Sequence, residues 1–152
     1  MKHIGLIGLA GSGKDTAADA LMFTHYRCSF ASRLKIIARQ LGWDGEKDER
    51  GRAFLQDLGM AARKFNPNTW INLLRGEVSP VIQQLVFTDV RFQNEADFVR
   101  SIGGIIVRIV RPGIISGNHE SELKQSEIAA DIELVNDGTI EDLHNKIKDI
   151  TK

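Results

Sequence analysis

Short apolar runs alternate along this chain with longer segments in which apolar residues recur every three or four positions. Mostly apolar runs that do not strictly alternate with polar residues are typical of strands buried on both faces of a parallel sheet. The pattern therefore predicts five strands, which lie at 3–9, 26–30, 85–89, 105–110 and 132–135.

The segments between these runs carry the helical period. Helices are predicted at 14–24, 32–41, 52–64, 69–74, 94–102, 120–128 and 140–150. Strands that alternate with helices predict an α/β fold, with a five-stranded parallel sheet and helices on both faces. Ligands of such folds bind at the carboxyl ends of the strands, so the residues that follow each strand are the candidates for function.

Composition narrows the class of protein. The 152 residues are enough for a single domain, 1–152. Lys plus Arg and Asp plus Glu both number 20, so the net charge is zero, which speaks against a DNA partner without excluding one. A single cysteine, Cys28, fits a reducing cytoplasm, that of the host cell if the gene belongs to a phage. No apolar run approaches the roughly 20 residues of a membrane span, and the sequence leaves a homodimer open.

The stretch GLAGSGKDT, residues 8–16, follows the first predicted strand and opens the first predicted helix. Glycines at 8, 11 and 13 allow backbone angles that turn several N–H groups toward one point. The helix start adds a partial positive charge, and Lys14 adds an ammonium that can reach phosphates. The stretch predicts a phosphate-binding loop, and the alternative is a glycine-rich turn.

One feature of this loop departs from the common pattern. Asp15 stands where a serine or threonine usually follows the lysine, and Thr16 comes one position later. This G-K-x-T arrangement resembles the loops of adenylate-kinase-type nucleoside monophosphate kinases. Asp15 can contact the shell of a metal ion or cap the helix, and the structural role is slightly favoured.

Acidic and basic residues follow the third and fourth predicted strands. Asp89 is placed to organise Mg²⁺ or its waters, and Arg91 to clamp a phosphate. The alternative is a helix start stabilised by Asp89, with Arg91 paired to Glu95. Arg111 ends the fourth strand and Arg108 lies within it; each would pair with a phosphate or with a carboxylate.

Further polar residues follow the remaining strands. Arg33 and Lys35 follow the second strand, and Arg52, Gln56 and Arg63 share one helix; both sets can line an acceptor-phosphate site or a solvated surface. Trp70 can pack on a base or fill the core.

The HESE stretch, 119–122, is too small for a zinc site, so capping by Ser121 or gating is expected. The VNDGT stretch, 135–139, can hold a base through its backbone or form a plain turn with Thr139 as N-cap.

Taken together, these segments resemble the phage-type deoxynucleoside monophosphate kinases, within the wider P-loop nucleoside monophosphate kinase group. The matching segments span nearly the whole chain and are GLAGSGKDT, FASRLK, the R-x-x-x-Q-x-x-G run from Arg52 with Arg63, Trp70, DVRFQNEA, HESE and VNDGT. The resemblance implies a three-layer P-loop fold, with a helical acceptor-binding insertion at about 32–77 and a short lid at about 111–122.

The resemblance also implies reversible transfer of the ATP γ-phosphoryl group to a (deoxy)nucleoside monophosphate, with Mg²⁺. The implied catalytic residues are Lys14, Arg91 and Arg111. The ATP-binding residues would be Gly8, Ala10, Gly11, Ser12, Gly13, Lys14, Asp15, Thr16, Asn136 and Gly138. The acceptor-binding residues would be Arg33, Lys35, Gln56, Arg63, Trp70, Arg91 and Glu95. Thr16 and Asp89 would support Mg²⁺, partly through water.

Two other functions fit the same residues. A P-loop kinase could act on another acceptor, such as a hydroxymethylated base in DNA or another small molecule. A nucleotide-binding switch would bind ATP without transferring phosphate, but the arginines at the strand ends have no obvious use in it.

Overall fold

The fold is given by a computed structural model that describes residues 2–81, 83–117 and 119–152. Five parallel strands form one sheet in the order β2-β3-β1-β4-β5. The strands are β1 Ile4–Ile7, β2 Tyr26–Cys28, β3 Leu85–Phe87, β4 Ile105–Val110 and β5 Ile132–Val135. The predicted α/β class and five-stranded parallel sheet are confirmed.

Seven helices connect the strands among the described residues. They are α1 Lys14–Asp19, α2 Ser32–Gln40, α3 Glu49–Phe65, α4 Thr69–Arg75, α5 Gln93–Ser101, α6 Glu120–Glu127 and α7 Ile140–Thr151.

Two helix ends differ from the prediction for local reasons. Helix α1 stops at Asp19 rather than continuing to 24, because the backbone N–H groups of Leu21 and Met22 bond three residues back, to the carbonyls of Ala18 and Asp19, instead of four. Helix α3 starts three residues early because Asp48 caps it, accepting the backbone N–H of Gly51 at 2.7 Å.

The sheet separates two layers of helices. Ile4 and Leu6 of β1 belong to a core with α1 and α7, which includes Leu21, Leu143 and Ile147. The opposite face carries α5, where the rings of Phe87 and Phe98 meet edge to face with centroids 5.9 Å apart. Because successive residues of a strand point to opposite faces, the continuously apolar β1 supplies both layers.

Contacts within the chain define two compact units, Met1–Cys28 with Ser79–Lys152, and Ser29–Val78. The first unit holds the sheet with α1, α5, α6 and α7, and the second holds α2, α3 and α4. No helix within the described ranges is long and apolar enough to cross a membrane.

The central position of β1 explains where function concentrates in the first unit. β1 pairs with β3 on one side and with β4 on the other. The chain runs from β1 through α1 to β2 at one edge of the sheet, and from the neighbouring strand β3 through α5 to β4 on the other side of β1. Open α/β sheets bind their ligands where the connections of neighbouring strands diverge in this way. Gly8, Asp89 and Arg111 follow these strands at the same edge.

Candidate active site

The phosphate loop joins β1 to α1. Gly8 and Gly13 have φ angles of +149° and +105°, which side chains rarely tolerate. Gly13 is the N-cap of α1, so the first N–H groups of that helix have no partner within it. Glycine backbone and helix start together form the concave, electropositive loop that binds phosphate in proteins.

The side chain of Asn136, just after β5, supports this loop. Its Nδ2 donates to the carbonyl oxygen of Ser12 at 2.9 Å. The C=O and N–H of one trans peptide point in opposite directions, so holding the Ser12 carbonyl directs the Gly13 N–H away from Asn136. Asn136 therefore fixes a peptide that would face the phosphates.

Lys14 is held inside the loop. Its Nζ donates to the carbonyl oxygens of Gly8 and Leu9, the second at 2.9 Å. Burial, followed by the positive charge of Arg91, lowers its pKa from 10.5 to about 8. The carboxylates of Asp15, Glu122 and Asp89 oppose this shift. Arg91 and these acids thus lie within electrostatic reach of the Lys14 ammonium.

Two arginines complete the positive surface. Arg91 Nη1 donates to the Oγ of Ser121 at 3.1 Å, and Arg111 Nη1 lies 3.5 Å from the carbonyl oxygen of Gly11. Neither guanidinium has a carboxylate partner among the ion pairs of the described residues. Cations gathered in this way are suited to a polyanion such as a triphosphate.

Arg108 contacts the end of a helix rather than the phosphate loop. Its Nη2 donates to the backbone carbonyl of Ile128, the C-cap residue of α6. This contact is neither the phosphate nor the carboxylate expected from the sequence. It satisfies an orphan carbonyl at a helix C-terminus, where a cation also complements the helix dipole.

Asp15 forms an ion pair at the surface of the protein. Its carboxylate pairs with Arg27, which also contacts Asp19 at 2.9 Å. The contact ties α1 to the edge strand β2 and agrees with the structural role that the sequence slightly favoured.

Glu95 stabilises the turn that carries Arg91. Its side chain is buried, and Oε2 accepts the backbone N–H groups of Arg91 at 2.8 Å and Phe92 at 3.2 Å. The expected pairing of Arg91 with Glu95 therefore exists through the backbone rather than the guanidinium. An acceptor-binding role for Glu95 stays a prediction, and this geometry instead points to the start of α5.

The HESE and VNDGT stretches both begin helices. His119, not Ser121, caps α6, because its Nδ1 accepts the backbone N–H of Ser121 at 3.1 Å. The lid predicted over 111–122 includes residue 118, which lies outside the described residues. Thr139 caps α7 as expected, with Asp142 accepting the Thr139 N–H in return at 2.8 Å.

The acceptor candidates of the second unit differ in their surroundings. Gln56 and Arg63 lie seven residues apart on α3, hence on one helix face, where the Arg63 guanidinium passes over Gly59. Arg33 is paired with Glu77. Trp70 is 3% exposed and donates to the Gly59 carbonyl at 3.2 Å, so it fills the core of this unit. Lys35 is half-buried on α2.

Sequence reasoning missed the side-chain contacts that cross between elements. Asn136 was expected to contribute only backbone contacts, and Glu122 was not expected near Lys14. Ser121 and Gln125, four residues apart on α6, both reach the turn after β3. The spacing of two polar residues by one helical turn was the only signal that could have indicated a shared contact.

The fold and this site define a P-loop kinase. Residues 38–147 match the sequence profile of the deoxynucleotide monophosphate kinase family. An Acanthamoeba polyphaga mimivirus protein described as a deoxynucleotide monophosphate kinase is 33% identical, over 97% of this chain and 94% of its own length. The deoxynucleotide monophosphate kinase of Enterobacteria phage T4 is 28% identical, over 66% of this chain and 45% of its own.

The chain therefore belongs to the deoxynucleotide monophosphate kinase family, and it is an enzyme of nucleotide phosphoryl transfer. Solved structures agree on the fold. Thermus thermophilus TT1252 superposes with a TM-score of 0.57 at 20% identity, covering 99% of this chain and 96% of that one. The Aquifex aeolicus shikimate kinase gives 0.52 at 14% identity, covering 96% and 94%.

Proposed function

We propose that this kinase transfers the γ-phosphoryl group of ATP to a deoxynucleoside monophosphate, producing ADP and the diphosphate. The observation that carries this proposal is the state of Lys14. A half-buried ammonium within electrostatic reach of the Arg91 guanidinium, with its pKa lowered to about 8, is unfavourable until an anion arrives. The phosphates of a nucleotide supply that anion at the loop and relieve the repulsion.

In this proposal, the residues of the first unit have two roles, which are donor binding and charge stabilisation. Loop N–H groups and Lys14 bind the donor phosphates, with Lys14 exchanging the carbonyls of Gly8 and Leu9 for phosphate oxygens. Arg91 and Arg111 stabilise the charge on the group in transfer. Catalysis is then mainly positioning and charge stabilisation. No general base is needed, because the attacking phosphate oxygen is already anionic.

The oxygen ligands at the loop suit Mg²⁺. Thr16 offers a hydroxyl on α1, and Asp89 a carboxylate two residues after the end of β3. No cluster of three or more His, Cys, Asp or Glu side chains able to hold a metal occurs in the described part of the chain. A small set of hard oxygen ligands fits an ion that enters with the nucleotide and keeps most of its waters. Bound there, Mg²⁺ would neutralise charge on the phosphates.

The acceptor-binding residues remain a prediction, which the arrangement of side chains on α3 supports in part. The shared face of Gln56 and Arg63 supports their contact with an acceptor phosphate, whereas the ion pair of Arg33 and the burial of Trp70 support structural roles. Asn136 and Gly138 remain candidates near the base, although the Asn136 amide is already bound to Ser12.

The first experiment measures ADP release from Mg-ATP against dAMP, dGMP, dCMP, dTMP, dUMP and the four ribonucleotides. We expect turnover with one or a few deoxynucleotides. Silence across the panel with ATP binding intact would overturn the proposed acceptor. Phosphorylation of DNA containing a hydroxymethylated base would then be assayed, because such a base is one of the alternative acceptors.

Asn136→Asp tests the support of the loop. The substitution keeps the size of the side chain but replaces the Nδ2 donor by an oxygen that repels the Ser12 carbonyl. We expect the KM for ATP to rise about tenfold, since a lost hydrogen bond of this kind is worth about 1.4 kcal/mol. The KM for the acceptor should change little.

Asn145→Asp is the matched control, because Asn145 is exposed on α7 and the substitution adds the same charge. If the two variants had the same KM for ATP, the role assigned to Asn136 would be wrong.

A further inference from the structure

Helix α6 begins with side chains that the proposed reaction does not use. Ser121 is 5% exposed, and its Oγ lies 3.1 Å from Arg91 Nη1 and 2.8 Å from His119 Nδ1. His119 Nδ1 already accepts the backbone N–H of Ser121 at 3.1 Å, so this nitrogen carries no hydrogen. The Ser121 hydroxyl therefore donates to His119 and turns a lone pair toward Arg91.

The direction of these bonds makes the contact specific. A guanidinium has donors only, so its partner must accept. Ser121 can do so without rotating because His119 takes its hydrogen. A hydrogen bond from a charged donor is also stronger than one between neutral groups.

The backbone that carries Arg91 is fixed by the same helix. Gln125, one turn after Ser121 on α6, donates its Nε2 to the carbonyl of Val90 at 3.0 Å and is 4% exposed. Glu95 accepts the Arg91 N–H from the other side. The turn after β3 is thus held by α5 and α6, and the long Arg91 side chain is held at its tip.

We propose that Ser121, oriented by His119, is a positioning residue that holds the Arg91 guanidinium toward the phosphates bound beside Lys14. The inference rests on the proposed function, because it assumes that Arg91 acts on those phosphates. A contact that positions Arg91 is needed because the Lys14 ammonium repels the flexible Arg91 side chain. The same repulsion lowers the pKa of Lys14.

Ser121→Ala removes the acceptor with a minimal change in volume. We expect kcat/KM for the monophosphate to fall about tenfold, mainly through kcat, with the KM for ATP nearly unchanged. Ser126→Ala is the control: Ser126 lies exposed on the same helix, its hydroxyl bonded to Leu123, and the variant should match the wild type. Wild-type activity in Ser121→Ala would overturn the proposal.

A double-mutant cycle separates positioning from helix stability. With Arg91→Ala as background, measured by single turnover at high enzyme concentration, Ser121→Ala should lower the rate by less than twofold. A tenfold loss that persists in this background would overturn the proposal, since Ser121 would then act without Arg91.

His119→Asn provides a second variant that still caps α6, because asparagine is a good N-cap. It should lose activity in the wild-type background and not in Arg91→Ala; equal losses in both would contradict the role of His119. Failure of the proposed function would show itself differently, as a wild type without turnover or an Arg91→Ala variant with full activity.

Discussion

Replacing Lys14 by methionine removes nearly all turnover and at the same time stabilises the nucleotide-free protein. The loss of activity follows from removing the one flexible ammonium in the phosphate loop, whose Nζ now rests on the carbonyls of Gly8 and Leu9. Removing a single charge-stabilising donor from an active site lowers kcat by about 100- to 1,000-fold. We expect at least this effect in kcat/KM.

The stabilisation follows from the lowered pKa of Lys14. Burial and Arg91 bring this pKa from 10.5 to about 8, so the folded protein binds the proton less tightly than the unfolded chain does. Below pH 8 Lys14 is protonated in both the folded and the unfolded state, and the folded state carries the full free-energy cost of holding that charge. Between pH 8 and 10.5 the unfolded chain binds more protons, so the penalty fades and wild-type stability rises relative to a variant without the lysine.

Thermal unfolding of the nucleotide-free proteins tests this directly. Lys14→Met should have a higher Tm than the wild type at pH 7, and the difference should shrink as the pH approaches 10.5. Lys148→Met, at an exposed position of α7, is the control and should not change the pH dependence. A Lys14→Met protein that melts below the wild type at pH 7, or that keeps its turnover, would contradict the role given to Lys14.

Local signals in the sequence were sufficient for the elements that local chemistry determines. β4 and β5 have the predicted bounds, because short runs rich in isoleucine and valine between turn residues are typical of buried strands. The phosphate loop was identifiable because its glycines, its lysine and the helix start are neighbours in the chain. Thr139 was identifiable as an N-cap for the same reason.

Contacts between distant residues could not be predicted in this way. Asn136 and Ser12 are separated by 124 positions, and Arg91 and Ser121 by 30. Only the order of the strands brings the residue after β5 against the loop after β1, and no periodicity encodes it. Arg108 shows the converse: a charge in an apolar strand suggested a phosphate or a carboxylate partner, whereas the end of a neighbouring helix accepts its hydrogen bond. The charged residues of the site could thus be predicted from the sequence, whereas most of the contacts that position them could not.

Gly8→Ala should abolish nucleotide binding through a contact that has no room to relax. A Cβ at Gly8 would lie 2.5 Å from the backbone carbonyl oxygen of Ile109 in β4 and 2.7 Å from Ser12 Oγ. A flexible side chain could move aside, but a carbonyl within the sheet cannot, so the loop itself must shift. Misplacement of about 1 Å in an active site reduces rates by about 100-fold, and we expect kcat/KM to fall by at least that factor.

Gly103→Ala separates this contact from backbone strain. Gly103 also has a positive φ, +86°, but an added Cβ there would meet no atom within 4 Å. A side chain at Gly103, whose φ is close to the left-handed helical region, costs about 1–2 kcal/mol. Gly8→Ala also places a side chain at positive φ, and it alone adds the collision with β4. Gly103→Ala should therefore melt somewhat lower than the wild type yet bind ATP normally, whereas Gly8→Ala should melt lower still and lose ATP binding in calorimetry. Equal ATP affinity in the two variants would mean that the loop has more freedom beside β4 than its packing against Ile109 allows.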